Sequence, residues 1–215
     1  MPRKANPYIR VTSVCSFIDS EWWQYWVRNV GVAEADRISK ESAEFGTGVH
    51  QLVEDYLRGV QTPPIYSDRQ VTQANLIIQW CKQSSVKPLI IDGKPAIELE
   101  LKSEKYKLTG HPDLVATFSD DPTIWIIDWK TSKEARRTYI LQMAAYAKMI
   151  KDIYKLESNI GVILRVPSDP NNEVQFETHT VYNLQTKWWP KFEAALDLYN
   201  FLKKKGEYKE VWGIK

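Results

Sequence analysis

Hydrophobic positions along the chain follow a helical period in its first third and a period of two in its middle. The stretch up to about Val14 is polar, carries Pro2 and Pro7, and reads as extended. Asp19 or Ser20 offers a cap for an aromatic helix running from Glu21 through Trp22, Trp23 and Trp26, which Gly31 closes. A second helix is expected over Glu41–Leu57: Val49, Leu52, Val53, Tyr56 and Leu57 form an i, i+3, i+4, i+7, i+8 stripe, and Gly59 with Pro63-Pro64 ends it. A third spans Ser67–Gln83, with Leu76, Ile77 and Trp80 facing inward. From Leu89 the period becomes two. Ile97, Leu99 and Leu101 alternate with Glu98, Glu100 and Lys102, as in a half-exposed strand. Strands follow over Thr109–Phe118 and Thr123–Lys130, the latter apolar on both faces and so central in a covered sheet. A helix over Thr138–Tyr154, strands near Asn159–Val166 and Val174–Val181, and a helix over Leu184–Lys204 complete the pattern, with a tail reaching Trp212.

This order predicts one α/β domain over residues 1–215: a mainly helical part (1–88), a sheet core with an inserted helix (89–181), and a C-terminal helix and tail (182–215). The 43% hydrophobic and 26% charged content is that of a globular chain rather than a disordered one. No apolar run is long enough to span a bilayer, and the opening residues lack the apolar core of a secretory leader, so a cytoplasmic location is expected. Cys15 and Cys81, far apart and outside any CxxC spacing, supply neither a zinc nor an iron–sulfur site by themselves. The net charge of +2 leaves room for a local basic patch. Nine tryptophans are many for this length, and Trp can serve core, interface or base stacking.

The chemistry concentrates near the central strand. Asp128 and Lys130 are two apart and leave one face of an otherwise apolar run, where burying them without partners is costly. An antiparallel neighbour would bring Asp113 beside Asp128. Clustered carboxylates repel unless a cation lies between them, and oxygen donors favour Mg²⁺ or Mn²⁺. Glu98 offers a third carboxylate, with Glu100 of the same parity as its rival. Lys130 would face negative charge growing on a phosphate. Lys133, Arg136 and Arg137 follow directly and suit phosphate contacts, or a solvated loop. Trp22 and Trp23 are open between stacking and packing roles, and Trp26 is expected in the core.

Pro112-Asp113 followed by Asp128-Trp129-Lys130 resembles the signature of the PD-(D/E)XK nucleases, and the surroundings resemble the RecB-like branch. Its Gly-x-x-x-His helix is matched by Gly46–His50, its Gly-x-x-Asp strand by Gly110–Asp113, its Asp-x-Lys-Thr strand by Asp128–Thr131, and its Gln-x-x-x-Tyr helix by Gln142–Tyr146. The resemblance implies a restriction-endonuclease-like core, a central mixed sheet flanked by helices. It implies His50, Glu98, Asp113, Asp128 and the Trp129 backbone carbonyl as metal ligands, with Glu98 preferred to Glu100 by its distance from Gly110. Asp113, Asp128, Lys130 and Glu98 are the implied catalytic set, and Gln142, Tyr146 and Thr131 organise lysine and substrate. The implied activity is metal-dependent DNA exonuclease action on single strands or duplex ends, in phage or mobile-element replication, recombination or repair. Self-association and a replication or recombination partner fit the same picture, and a phage protein would work in the host cytoplasm. An endonuclease on this fold is the second reading. An inactive, nucleic-acid-binding relative is the third, against which the joint presence of Asp113, Asp128 and Lys130 speaks. The cluster-binding cysteines of the CRISPR adaptation nucleases and any Gly-x-x-x-x-Gly-Lys-[Ser/Thr] loop are absent from the sequence.

Overall fold

The computed structural model describes residues 7–61, 65–169 and 171–203. The chain opens with β1 (Ile9–Arg10) and α1 (Val11–Ile18), followed by α2 (Ser20–Val30), α3 (Val32–Arg58) and α4 (Asp68–Gln83). The stretch expected to be extended up to Val14 is therefore partly helical: Val11, Val14 and Cys15, at i, i+3 and i+4, are buried on one face. Gly31, at φ +86°, separates α2 from α3, and Gly59 ends α3 in the left-handed conformation. Helix α3 begins nine residues before the expected Glu41, because its first turns ride on the surface and lack an apolar stripe. Ser67 and Gln70 form a reciprocal capping box at the start of α4. The inward residues of α4 are Gln73, Ala74, Ile77, Ile78 and Cys81, while Leu76 and Trp80 are only partly covered.

Short strands β2 (Val86–Pro88), β3 (Ile90–Ile91), β4 (Lys94–Pro95), β5 (Leu101–Ser103) and β6 (Leu108–Gly110) lead to β7 (Leu114–Phe118) and β8 (Asp121–Lys130). Helix α5 (Arg137–Tyr154), β9 (Ile160–Arg165), β10 (Glu177–Tyr182), a π-helical turn (Leu184–Trp188) and α6 (Trp189–Lys203) follow. The central sheet has the order β10-β9-β8-β7-β2, with β8 and β9 parallel and the other pairs antiparallel. A small sheet, β1-β6-β5, lies beside it. This is a mixed α/β fold with a central mixed sheet between helices.

Two expected strands are interrupted. Ile97–Leu101 does not run continuously, because Glu98 adopts φ +46° and only Leu101–Ser103 pairs as a strand. Thr109–Phe118 divides at His111-Pro112-Asp113, where Pro112 has no N–H to give a ladder, and its halves join different sheets. Both breaks border the residues singled out for chemistry.

One core packs α1, α5 and α6 on a sheet face that presents Val115, Ile126 and Ile163. The other packs α3 and α4 on the opposite face, with Leu114, Ile127, Trp129 and Leu164. Side chains alternate along β8, so Ile126 and Asp128 turn to α5 while Ile127 and Trp129 turn to α3. Gly161 lets the layers close: a Cβ there would lie 2.5 Å from the Ile126 carbonyl oxygen and collide with the Met143 methyl. The tail beyond Lys203, including Trp212, lies outside the described residues.

Candidate active site

At the C-terminal end of β8 the two helical layers meet. Helix α3 brings His50 from one side and α5 brings Gln142 and Tyr146 from the other. Asp113 immediately precedes β7, and its Oδ2 accepts the Trp129 N–H at 2.7 Å, which fixes it against the end of β8. His50 Nδ1 lies 3.2 Å from Asp113 Oδ1 and 3.7 Å from Glu98 Oε1. The left-handed turn at Glu98 carries its carboxylate there, and the Glu98 N–H donates to the Asp113 carbonyl at 3.0 Å. Glu100 instead pairs with Lys102 in solvent.

Asp128 is fully buried, and its Oδ2 is 2.6 Å from Lys130 Nζ. Gln142 Nε2 donates to Tyr146 Oη at 3.0 Å and reaches Asp128 Oδ1 at 3.4 Å. The glycines of the motifs are spaces for neighbours. A Cβ on Gly110 would meet the Tyr146 ring at 2.5 Å, and one on Gly46 would meet Thr131 Oγ1 at 3.0 Å. Gly48 admits the Gln70 side chain, which bonds the Glu44 and Phe45 carbonyls and ties α4 to α3. A cleft of about 430 Å³ opens beside His50 and Glu98, with Gly46, Gln51, Glu54 and Thr131 in its walls. Lys133 and Arg137 are exposed and Arg136 half-buried on the segment after β8.

The sequence description of the PD-(D/E)XK nuclease superfamily matches residues 23–198. The chain belongs to that superfamily. Among solved structures, it is similar to SSO0001 at 11% identity, over 95% of this chain and 80% of that one, with a TM-score of 0.46. It is similar to the alkaline exonuclease LHK-Exo of Laribacter hongkongensis at 11% identity, over 94% and 95% of the two chains, with a TM-score of 0.41. LHK-Exo in complex with dAMP aligns at 9% identity over 91% and 93%, with a TM-score of 0.40. Comparison with curated proteins gives no match. PD-(D/E)XK nucleases are hydrolases of nucleic acids that use divalent metals. Among the described residues no helix is long and apolar enough to cross a membrane.

The donor set suits such an ion. His50, Glu98 and Asp113 each offer a ligand atom, and these three atoms lie within 4.8 Å of one another. Two carboxylates and an imidazole suit Mn²⁺ well, and the carboxylates suit Mg²⁺. Burial works against charge on His50, yet the Asp113 and Glu98 carboxylates raise its pKa to about 10. Burial likewise opposes ionisation of Asp113, but the His50 charge beside it holds its carboxyl below the usual range. Glu98 is pushed upward by burial, partly offset by His50. Burial pushes the Asp128 carboxyl up to about 6 although Lys130 favours its ionised form. Lys130, whose burial disfavours charge, is kept protonated by Asp128 and Asp113. Asp128 Oδ2 touches Lys130 only as an ion pair, off hydrogen-bond geometry, and so retains acceptor capacity. His50, Glu98 and Asp113 form the tightest group of donors, and Asp128, beside Asp113 through the end of β8, faces Lys130 as the two-residue spacing on that strand implies.

Two residues at the site carry no signature in the motifs. The Lys130 ammonium sits over the Tyr139 ring at 5.2 Å from its centroid, and Tyr139 is three residues before Gln142, which places both on one face of α5. Arg165 pairs in register with Lys130 and is buried; it donates to the Lys133 carbonyl at 2.5 Å and the Ser132 carbonyl at 3.2 Å, and pairs with Glu177. A charge at the end of the apolar run Ile160–Leu164 is the signal that would have revealed it, the same one that drew attention to Lys130.

Proposed function

We propose that this protein is a DNA exonuclease dependent on Mg²⁺ or Mn²⁺. The observation that supports this reading most directly is the His50, Glu98 and Asp113 donor cluster beside the buried Asp128–Lys130 pair. When bound, a divalent ion supplies positive charge to the scissile phosphate and makes a water acidic enough to act as nucleophile near neutral pH. His50, Glu98 and Asp113 hold that ion, with Asp128 and the Trp129 carbonyl within the same group. Lys130 stays charged at neutral pH and stabilises the negative charge that grows on the phosphate oxygens. Asp128 and the Tyr139 ring hold the ammonium, and Gln142 and Tyr146 brace Asp128. Thr131, Lys133, Arg136 and Arg137 take phosphates of the bound strand. The process served is DNA replication, recombination or repair in a phage or mobile element.

The test is degradation of end-labelled single- and double-stranded DNA with Mg²⁺ or Mn²⁺. Removing the metal with EDTA, or making Asp113→Ala, is expected to abolish cleavage. Lys130→Ala should lower kcat by roughly 10²–10³-fold. Cleavage that survives both substitutions would falsify the assigned site. A circular duplex separates exonuclease from endonuclease, since an obligate exonuclease leaves it intact.

A further inference from the structure

Helix α2 is an unusual surface element: it carries Trp22, Trp23, Tyr25 and Trp26, and none of its residues is buried. Trp26, expected in the core, is only half-covered, while Trp22 and Trp23 are 47% and 41% exposed. Trp22 and Trp26 lie parallel, with centroids 6.1 Å apart and planes within 4°, and Trp23 leans on Trp26 at 5.1 Å. Contiguous apolar surface of this kind on a folded chain marks a binding site.

Its position narrows the occupant. The Arg136 guanidinium lies over the Trp22 ring, 4.6 Å from the centroid, and Arg136 belongs to the segment that leaves β8 directly after Lys130. Asp19, at the head of α2, accepts the Thr138 hydroxyl at 2.9 Å and lies 3.7 Å from Arg136, which locks α2 to the start of α5. Thr138 is four residues before Gln142, about 6 Å along α5 from the residue that reaches Asp128. Exposed indoles therefore sit beside a guanidinium on the short segment that joins Lys130 to the helix carrying Gln142. Rings that take bases and a cation that takes phosphate match the alternating chemistry of an unpaired nucleic-acid strand. A duplex stacks its base faces on one another, leaving only the outer face of each terminal pair open, and would gain less from them.

We propose that Trp22, Trp23 and Arg136 form a stacking platform for unpaired DNA bases next to the scissile phosphate, a reading that rests on the nuclease function above. The platform holds the single-stranded stretch while α3 and β8 present the catalytic groups to the adjoining linkage.

The test is fluorescence anisotropy of the full chain with a labelled twenty-nucleotide oligothymidine and with a blunt duplex, in EDTA so that neither is cut. Trp22→Ala/Trp23→Ala is expected to weaken oligothymidine binding by roughly 5- to 100-fold while duplex affinity stays within about twofold of the parent. Trp22→Phe/Trp23→Phe, which keeps the rings, should recover most of the affinity. The thermal midpoint of each variant, read by circular dichroism, should stay near that of the parent. Unchanged oligothymidine binding, or an equal loss for both DNAs, overturns the platform. So does a fall in sedimentation mass with DNA binding intact, which would make the patch a contact between copies of the chain. A parallel Mn²⁺ cleavage assay separates the two claims. If the parent binds through its indoles but cuts nothing, the nuclease reading fails; if it cuts DNA with indole-independent binding, the platform alone fails.

Discussion

At the scale of single residues, His50 joins structure to chemistry. It approaches two carboxylates from a different helical layer, and their charge raises the pKa of its ring against the effect of burial. Because imidazole is a better donor for Mn²⁺ than for Mg²⁺, the folded protein should bind Mn²⁺ more tightly in titration calorimetry. His50→Ala should weaken Mn²⁺ binding by at least the roughly 10- to 100-fold seen when a ligand's support is disturbed, and should narrow the gap between the metals. Equal Mn²⁺ affinity in His50→Ala and the parent would remove the histidine from the ligand set. Arg165 shows how pH enters. The hydrogen bond it donates, with one from His179, holds the Glu177 carboxyl below the usual range against the effect of burial. A depressed folded-state pKa contributes stability above the unfolded value and loses it as pH falls through the folded one. Glu177→Gln should therefore cost about 1–2 kcal/mol in urea unfolding at pH 7, a difference that shrinks toward zero as acid protonates Glu177 in the parent.

At the scale of elements, the close approach of β9 and α5 depends on a missing side chain. Gly161→Ala places a methyl 2.5 Å from a backbone oxygen that cannot swing away, so a loss of about 1–3 kcal/mol is expected by denaturant titration. A midpoint equal to that of the parent would mean that the layers are looser than the packing implies. The elements also show where sequence periodicity succeeds. The helix ending at Gly59, the α4 start at Ser67 and the doubly apolar β8 were legible because each is set by local spacing and capping. Breaks at Glu98 and Pro112 were not, since an alternating pattern continues through a residue whose backbone turns for a distant partner. Helix α1 was hidden behind β-branched residues of low helical propensity, which burial of Val11 and Val14 against α5 overrides. In the site, the residue types pointed to carboxylates around a cation and the spacing put Asp128 with Lys130, but the turn that brings Glu98 to His50 and the Tyr139 ring under Lys130 depended on how separate elements pack. That information is tertiary.

At the scale of the whole molecule, two cores on opposite sides of one sheet make a protein whose thiols report its integrity. Cys15 lies in the α5-side core and Cys81 in the α3-side core, and burial pushes both thiols up to about 12. Native protein should react slowly with an aromatic disulfide reagent from pH 7 to 9, and both thiols should react promptly once urea unfolds the chain. Fast labelling of one thiol alone in buffer would show that its layer opens independently of the other.

The convergence of both layers on one end of β8 has a bearing on durability. His50 is delivered by one slab and Gln142 by the other, and they meet through Asp113, Glu98 and the end of β8 between them. A slight parting of either slab scatters the donors long before the chain as a whole comes undone. Warming should therefore silence turnover at a temperature below the one at which helicity vanishes, so that function fails at the seam first.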